Sequence, residues 1–463
     1  MVVAGSLAFV LAGCSSGGEA PGGAVEGGTG SRGAAAAGDR AALVDTTVRL
    51  GDGQRMRVPV GWEVSVWAKV PGARLLAWTP DRKLLVSRPK VGDVLVLDSG
   101  GLGAAGTTGT ISSTGTTGSA GSTGSGGDGG AVGVGGGVAV GKTLVSGLNQ
   151  PHGLAFDGDT LYVAESDQVD AFTYKDGAVS GKRVVVGGLP DAKSPELGGA
   201  YAHALKSVAI GEDGTIYVSV GSTGNVSADD REASPERATI LKAPAGGGAP
   251  TTFARGVRNG TGLAVAPDGA VWTAVNNRDN IAYPDDADYD GDGDSDRGKV
   301  MQKYVNDHPL EPLAKLTQGR DLGWPYCNPD SDRSYDRDYQ LNRDGKKLDC
   351  AKLTPIEQGM GAHSAPLGLS FATEPGLPAP YGAGALVGIH GSWNRNPPRE
   401  PEVSFFPWKD GALGAQQTLL AGFQDSDGKR WGRPVMAVQG PDQAIYVSDD
   451  LAGAIYRVSW PAK

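Results

Sequence analysis

The chain has 463 residues, a formal net charge of −10 and 75 glycines. This length suits one large all-β domain such as a barrel or a propeller. The acidic balance excludes a general nucleic-acid binder, because phosphate contacts need clustered Lys and Arg, and it offers no basic surface for anionic lipid.

The N-terminal segment predicts export. Residues 2–11 form an apolar run of signal-peptide length, too short to span a bilayer, and Leu-Ala-Gly-Cys follows at 11–14. This pattern resembles the bacterial lipoprotein signal, which implies a signal peptide over 1–14 and lipidation of Cys14. The alternative is a buried N-terminal strand or helix. Residues 15–45 are rich in Gly, Ala and Ser and predict a flexible tether. We therefore expect an extracytoplasmic lipoprotein, on the periplasmic face or the cell surface, whose lipid anchor is its membrane contact.

A repeated unit dominates residues 46–463. Each copy is an apolar strand, a turn with Pro, Gly or Asp, and a second strand that ends in small or polar residues. The copies lie at 75–87, 153–165, 207–219, 262–274, 368–389 and 435–447. One hairpin cannot bury its own face, so six copies predict an all-β, six-bladed β-propeller. The stretch at about 99–141 is almost wholly Gly, Ser, Thr and Ala, and predicts a disordered surface insertion within this domain.

Polar residues precede four of the six units at the same phase of the repeat. Because the first strands of propeller blades line the channel, we expect these residues to meet at one mouth. A histidine there suits general-base chemistry, the alternative being a structural hydrogen bond to a carbonyl. Two arginines there predict an anionic ligand, best a polycarboxylate. The residues are Gln150 and His152, His203, Arg258 and Asn259, and Arg433.

Two further features concern disulfide and metal chemistry. In an oxidising compartment Cys327 and Cys350 are expected to form a disulfide, a metal-binding thiol pair being the alternative. The bridge would brace the loop that carries Trp324, a possible pocket wall. The acidic run 288–296 has the Asp-x-Asp-x-Asp-Gly spacing of a calcium loop, so Asp288, Asp290 and Asp292 are candidate ligands. A solvated acidic loop is the alternative reading.

Several motifs in order resemble the glucose/sorbosone dehydrogenase family of quinoproteins, closest to its sorbosone dehydrogenase-like branch. The resemblance covers residues 58 to 460 outside the insertion. It rests on His203 with Gly211, Asp213 and Gly214, on Arg258 and Asn259 with the following Gly-Leu-Ala, and on the segments 323–327, 363–368, 390–395 and 432–435.

The resemblance implies a six-bladed propeller that binds pyrroloquinoline quinone (PQQ), a tricarboxylate o-quinone, together with Ca²⁺. It implies that His203 is the general base and that Arg258 and Asn259 lie beside the reactive quinone carbonyl. The implied cofactor contacts are Gln150, His152, Lys206, Arg395 and Arg433. The backbone carbonyls of Asn277 and Arg278 correspond to calcium ligands.

The sequence departs from the family at two places. Ala202 stands where glucose-oxidising members have an acidic residue that orients the histidine, and related sequences more often have an acidic residue near Asn277. His308 has no phase with the repeat and is expected on the surface, whereas His363 and His390 lie in loops near the mouth and face either substrate or structural partners.

We expect oxidation of an aldose, sorbosone or a related sugar aldehyde, with an external electron acceptor, in a monomer or homodimer. Two other classes stay open. A calcium-dependent lactonase-type propeller hydrolase would need carboxylates and Asn around a central metal. A non-catalytic binding propeller would keep the shape without turnover.

Overall fold

The computed structural model describes residues 41–48, 54–98 and 139–460. Cys14 with the predicted signal peptide, most of the predicted tether and nearly all of the predicted insertion lie outside these ranges. Within them, no helix is both long and apolar enough to cross a bilayer.

Three strands precede the first repeat. β1 (Leu43–Thr47) and β2 (Arg55–Pro59) form an antiparallel hairpin, and β3 (Glu63–Lys69) follows. β1 begins inside the segment predicted as tether, because Leu43 and Val44 pair with the end of β2.

Six larger sheets, in which all the described strand pairs but one are antiparallel, follow in chain order and are numbered here as blades 1 to 6. Blade 1 consists of β4 (Leu76–Trp78), β5 (Leu84–Arg88), β6 (Asp93–Asp98) and β7 (Val140–Ser146). Blade 2 consists of β8 (Gly153–Asp157), β9 (Thr160–Ala164), β10 (Val169–Lys175) and β11 (Ala178–Val186). Blade 3 consists of β12 (Val208–Ile210), β13 (Ile216–Val220), β14 (Thr239–Ala243) and β15 (Thr251–Arg255). The predicted insertion lies between the last two strands of blade 1, and its last two residues belong to β7.

The later blades carry the longer additions. Blade 4 consists of β16 (Gly262–Val265), β17 (Val271–Ala274), β18 (Leu310–Leu316) and β22 (Gln358–Ala362). Three short strands lie between β18 and β22 in the chain: β19 (Arg320–Asp321), β20 (Cys327–Pro329) and β21 (Tyr335–Arg337). β19 pairs with blade 3, and β20 with β21. Blade 5 consists of β23 (Pro366–Ala372), β24 (Gly384–Ile389), β25 (Glu402–Lys409), β26 (Ala412–Leu413) and β27 (Gln417–Leu420). Blade 6 consists of β28 (Pro434–Gln439), β29 (Ile445–Asp449), β30 (Ala454–Ser459) and the early strand β3. The α-helical turns are α1 (Asp229–Glu232) and α2 (Gln302–Val305).

The six-bladed β-propeller is confirmed. Each repeat in the sequence forms the first two strands of one blade. The first strands of the blades contact one another in an unbroken ring and therefore surround the central channel. β3 pairs with β30 as the outer strand of blade 6, so an N-terminal strand closes the ring onto the C-terminal blade.

The hydrophobic core lies between the blades. Six buried clusters each join one pair of neighbouring blades. Between blades 6 and 1, for example, the ring of Tyr446 packs edge-on against Trp67 at 4.9 Å and Trp78 at 5.0 Å. Each hairpin thus buries on its neighbours the apolar face that it cannot cover itself, which holds all six strand starts at fixed positions around the channel.

Cys327 and Cys350 form the predicted disulfide, with their Cα atoms 5.7 Å apart. The bridge closes a 23-residue separation in the addition to blade 4. By the chain-entropy model, closure of a loop of this size stabilises the fold by about 3 kcal/mol.

Candidate functional site

Each first strand starts beside the end of its second strand, as the pairs Gly153–Ala164 and Gly262–Ala274 show. Hydrogen bonds join these ends from blade to blade. Ser207 Oγ donates to Thr261 O at 2.6 Å, for example. Residues that precede first strands and residues that follow second strands therefore meet at one end of the channel, which we call the mouth.

His203 of blade 3 lies at the mouth with one nitrogen fixed. Its Nδ1 is 3.0 Å from Ser222 O and 2.9 Å from Ser222 Oγ. A carbonyl only accepts, and the hydroxyl of Ser222 gives its proton to Gly224 O. Nδ1 is therefore the protonated nitrogen, and Nε2 carries the lone pair. In this tautomer the imidazole can accept a proton at Nε2.

A glycine makes room for this histidine. At Gly221, the last residue before Ser222, a Cβ atom would lie 2.5 Å from His203 Cβ and 3.1 Å from Asn259 Oδ1. Any larger residue would push the imidazole away from Ser222. The missing side chain at Gly221 thus lets His203 and Asn259 approach each other. Ser222 orients the imidazole, a role that an acidic residue at position 202 has in the family pattern.

The pKa of His203 gives a testable consequence of this geometry. Burial, helped by the charge of Arg258, lowers that pKa to about 4 in the protein without ligand. As the pH falls from about 6.5 to about 4, His203 is protonated in the unfolded chain but stays neutral in the folded chain. The free energy of unfolding therefore decreases over this pH range. NMR titration of the five histidines, with His203→Asn for assignment, should find this ring neutral down to about pH 4. A titration at the ordinary pH would show that the imidazole is exposed instead.

Arg258 and Asn259 stand next to His203, on the segment that leads into blade 4. The guanidinium of Arg258 is 4% exposed and donates to Asn225 O at 3.2 Å, to Asn225 Oδ1 at 3.1 Å and to Asn276 O at 3.1 Å. Burial lowers its pKa to about 10, so the group remains a cation at neutral pH. Three of its five N–H groups have partners among the described residues, and two remain to meet a ligand.

Asp279 and His363 complete this side of the mouth. His363 Nδ1 lies 3.4 Å from Asp279 Oδ1, and His363 Nε2 lies 3.1 Å from His308 O. Asn225 Oδ1 accepts from the backbone N–H of Asp279 at 2.8 Å and also from Arg258, so one side-chain amide links the guanidinium to the backbone of Asp279. We call His203, Arg258, Asn259, Asp279 and His363 the base side of the mouth.

A second charged set lies on blades 5, 6 and 1. Arg74 donates to Asp450 Oδ2 at 2.7 Å, and His390 Nε2 lies 2.9 Å from Asp450 Oδ1. Burial alone raises the pKa of Asp450, but the hydrogen bond from His390 and the charge of Arg74 outweigh it and hold that pKa well below its usual range. Burial lowers the pKa of His390 to about 4, so a neutral imidazole donates to an ionised carboxylate.

Arg433 also keeps free donors in this set. Its Nε donates to His390 O at 2.9 Å and one Nη to Gly391 O at 2.8 Å, which leaves three N–H groups without a described partner. Arg395, on the loop after β24, is half-buried. We call Arg74, His390, Arg433 and Asp450 the arginine side of the mouth.

The remaining predicted cofactor contacts of blades 2 and 3 differ in access. Gln150 is exposed. His152 is fully buried, with Nδ1 3.2 Å from Lys206 O, and its Nε2 has no partner among the described residues. The ammonium of Lys206 is buried and donates to Ala204 O at 2.6 Å and Pro190 O at 2.9 Å, and burial lowers its pKa to about 7. Lys206 therefore has one N–H group left to donate to a ligand when the ammonium is protonated.

Asn277 and Arg278, the predicted calcium ligands, turn their side chains away from the mouth. Asn277 Nδ2 donates to Leu310 O at 3.1 Å, and Arg278 forms a buried ion pair with Asp338. Their backbone carbonyls are thus the atoms left to meet a cation. Glu311 supports this loop, because its carboxylate accepts from Asn277 N at 3.3 Å and from Ala365 N at 2.6 Å. Burial raises the pKa of Glu311 to about 8.

The disulfide-bearing addition contacts the base side through Trp324 and Asn225. Trp324, predicted as a pocket wall, is 2% exposed and donates from Nε1 to Asn225 O at 3.3 Å. Asn225 in turn holds Arg258. The addition therefore positions the amide that orients the buried guanidinium, rather than lining the mouth with an indole.

The acidic loop differs from its prediction in one member. Asp288 and Asp290 lie together with Asp296, their oxygens within 4.8 Å of one another, and Asp292 is outside this group. Asp296 pairs with Lys299 at 2.8 Å. His308, expected on the surface, is largely buried, because it stacks on Tyr304 at 4.1 Å and binds Asp330 at 2.9 Å.

Sequence reasoning missed Arg74 and Asp450. Arg74 precedes the first repeat as Arg433 precedes the sixth, so the phase of the repeat was a usable signal. Asp450 directly follows β29 as His390 directly follows β24, so the phase of the second strands was a usable signal as well. Glu311 gave no signal, because it lies at the start of a third strand beneath the mouth.

Comparison with known proteins identifies the family of this chain. A family model described as TrAA12-like matches residues 131–461. The chain belongs to the TrAA12-like family. Among curated proteins, an uncharacterized protein of Borreliella burgdorferi is 24% identical over 331 residues, which is 68% of this chain and 77% of that protein.

Solved structures share the fold of this TrAA12-like protein. The holo PQQ domain of pyranose dehydrogenase from Coprinopsis cinerea superposes with a TM-score of 0.65 at 18% identity, covering 88% of this chain and 98% of that domain. A calcium structure of a family AA12 enzyme from Trichoderma reesei gives 0.65 at 18% identity, covering 87% and 96%. A soluble aldose sugar dehydrogenase from Escherichia coli gives 0.53 at 13% identity, covering 86% and 100%.

Proposed function

We propose that this protein is a PQQ-dependent sugar dehydrogenase, with its substrate at the mouth of the propeller. The observation that carries the proposal is a histidine whose Nε2 has no described partner, beside a buried arginine, with a second group of arginines at the same mouth. Membership of the TrAA12-like family and the fold shared with the PQQ domain of a pyranose dehydrogenase support it.

The donor set of the mouth suits a rigid polycarboxylate. Arg74, Arg258 and Arg433 are held by fixed backbone and side-chain partners and keep N–H groups to spare. Guanidinium groups bind carboxylates through two parallel hydrogen bonds, so preorganised arginines recognise such a ligand at low entropic cost. Three of the predicted cofactor contacts, Arg258, Asn259 and Arg433, are therefore well placed for PQQ.

In the proposed reaction, bound PQQ would supply the two-electron acceptor for hydride from a carbinol carbon, which is the hemiacetal carbon of an aldose or the hydrated carbonyl carbon of an aldehyde. His203 Nε2 takes the hydroxyl proton from the substrate, so the carbon loses a hydride and the oxygen a proton. Ser222 keeps the imidazole in the tautomer that accepts this proton. Asn259 and the N–H groups of Arg258 without described partners would hold the acceptor beside His203, where the buried guanidinium would stabilise negative charge.

Oxygen donors near the base side fit a calcium ion. The carbonyls of Asn277 and Arg278 are fixed by side chains that point away, and the carboxylate of Asp279 follows directly. Ca²⁺ prefers carbonyl and carboxylate oxygens, and a bound ion would polarise an adjacent carbonyl. The AA12 structure described with calcium supports this assignment.

The finer identity of the substrate and the location of the protein are also part of the proposal. The sorbosone dehydrogenase-like motifs favour an aldose, sorbosone or a related sugar aldehyde. The Leu-Ala-Gly-Cys motif ending at Cys14 favours an exported lipoprotein held at a membrane by its tether, with electrons passing to an external acceptor.

Reconstitution tests the proposed function. Purified protein is incubated with PQQ and Ca²⁺, and oxidation of aldoses, sorbosone and glyceraldehyde is followed with an artificial dye. We expect dye reduction that needs both sugar and PQQ and that falls when EDTA removes the metal. Absence of turnover with all three substrate classes would overturn the proposal.

A further inference from the structure

One tryptophan at the mouth is far more exposed to solvent than the other tryptophans of the chain. All nine tryptophans lie in the described part of the chain. Trp393 is 70% exposed, whereas Trp62, Trp67, Trp272 and Trp324 are at most 8% exposed and the remaining four are half-buried. Tryptophan is usually highly buried, so an indole that presents most of its surface to solvent needs a reason.

The exposure does not come from a loose loop. The two neighbours of Trp393 are buried, Ser392 at 8% and Asn394 at 7%. Ser392 O accepts from Arg430 at 2.6 Å, and Asn394 N donates to Ser392 Oγ at 3.0 Å. The backbone is thus anchored on both sides of an indole that itself stays uncovered.

Two reciprocal amide pairs fasten the same loop to the segment between β17 and β18 of blade 4. Asn280 N donates to Asn394 Oδ1 at 2.9 Å, and Asn394 Nδ2 donates to Asn280 Oδ1 at 2.7 Å. Asn396 N donates to Asn306 Oδ1 at 2.9 Å, and Asn306 Nδ2 donates to Asn396 O at 2.6 Å. Because Asn280 directly follows Asp279 of the base side, these bonds hold the Trp393 loop at the edge of the reaction site.

The other end of the loop is tied to the arginine side. His390 and Gly391, three and two residues before Trp393, accept from Arg433, and His390 binds Asp450. Leu451, the residue after Asp450, is 52% exposed. Trp393 therefore lies between both sides of the mouth, with a second exposed apolar side chain on the next blade.

We propose that Trp393 is a stacking platform that receives the apolar face of a pyranose ring and so selects cyclic sugars as substrates. The electron-rich face of an indole attracts the ring C–H groups of a pyranose, while the sugar hydroxyls stay free for polar groups of the mouth. A fixed platform loses little entropy on binding. The inference rests on the proposed function and adds the part of the substrate that is recognised.

Steady-state kinetics with Trp393→Ala and Trp393→Phe test the platform. Trp393→Ala should raise KM for the preferred aldopyranose about tenfold and leave kcat within about twofold, because stacking binds ground and transition states alike. Trp393→Phe should recover most of the affinity. KM for glyceraldehyde, which has no pyranose ring, should not change. Val60→Ala, which also shortens an exposed apolar residue (59%) but in the segment between β2 and β3, is the matched control.

An unchanged KM for the aldopyranose in Trp393→Ala would overturn the platform while leaving the dehydrogenase intact. If the wild-type protein oxidises no sugar, the proposed function fails, and the platform is judged by saturation-transfer NMR with D-glucose. A signal that Trp393→Ala abolishes supports the platform. An equal signal in both proteins, or none in the wild type, overturns it.

Discussion

Replacement of His203 by Ala should reduce the turnover number about 100-fold or more and leave PQQ affinity nearly unchanged. Loss of a general base costs about 10² to 10⁴ in rate, and the cofactor carboxylates would be held by guanidinium groups that this change does not touch. The measurement is kcat with an aldose in the dye-linked assay, beside the dissociation constant for PQQ from a visible titration.

Two controls separate base catalysis from a disturbed fold. Added imidazole should restore part of the rate of His203→Ala, because it can occupy the space that the side chain leaves. Ser222→Ala should cost less than His203→Ala, since Ser222 O still accepts the Nδ1 proton. Turnover that survives in His203→Ala would remove this histidine from the reaction.

Replacement of Arg433 by Gln should weaken PQQ binding about 100-fold, with a smaller effect on kcat once the site is saturated. The change removes a cation with three free N–H groups at the mouth, and hydrogen bonds to charged groups contribute about 1.5–3 kcal/mol each. The dissociation constant for PQQ, measured at two salt concentrations, reports the loss directly.

Matched arginine variants show whether position or charge matters. Arg183→Gln makes the same change in net charge on the outer strand of blade 2, where Arg183 donates to Gly246 O, and should bind PQQ like the wild type. Arg433→Lys keeps the charge without the planar pair of donors and should recover only part of the affinity. Equal PQQ affinity of Arg433→Gln and Arg183→Gln would contradict a carboxylate contact at Arg433.

The repeats predicted the fold because each propeller blade must contain the same hairpin. The turn residues and the alternation of apolar side chains mark the first two strands of every blade, and ring closure follows from six copies. The closing strand β3 could not be predicted this way, because it pairs with β30 almost 400 residues away and belongs to no repeat of its own.

The candidate site was predictable only where the repeat phase marks it. His203, Arg258, Asn259 and Arg433 precede first strands, and the structure brings them to one mouth. Local sequence could not show that Ser222 orients His203. It also could not show that Asn225, in a loop of blade 3, fixes Arg258. Those contacts join residues whose approach is set by packing between blades and by the disulfide-braced addition.

The exposed Trp393 illustrates the same division. Its motif was visible in the sequence, but exposure is a property of the folded chain and depends on the pairing of Asn280 with Asn394 and of Asn306 with Asn396. Motif spacing indicates which residues lie near the mouth, whereas the folded structure determines which of them remain free to bind.

Anaerobic mixing of PQQ-loaded protein with an aldose tests the central claim most directly, because it follows the bound quinone itself without a dye. The proposed function predicts one PQQ bound per chain and loss of the oxidised quinone absorbance within a single turnover in the wild type, with no such change over the same time in His203→Ala. A protein that binds no PQQ, or a bound quinone whose spectrum sugar leaves unchanged, would contradict it.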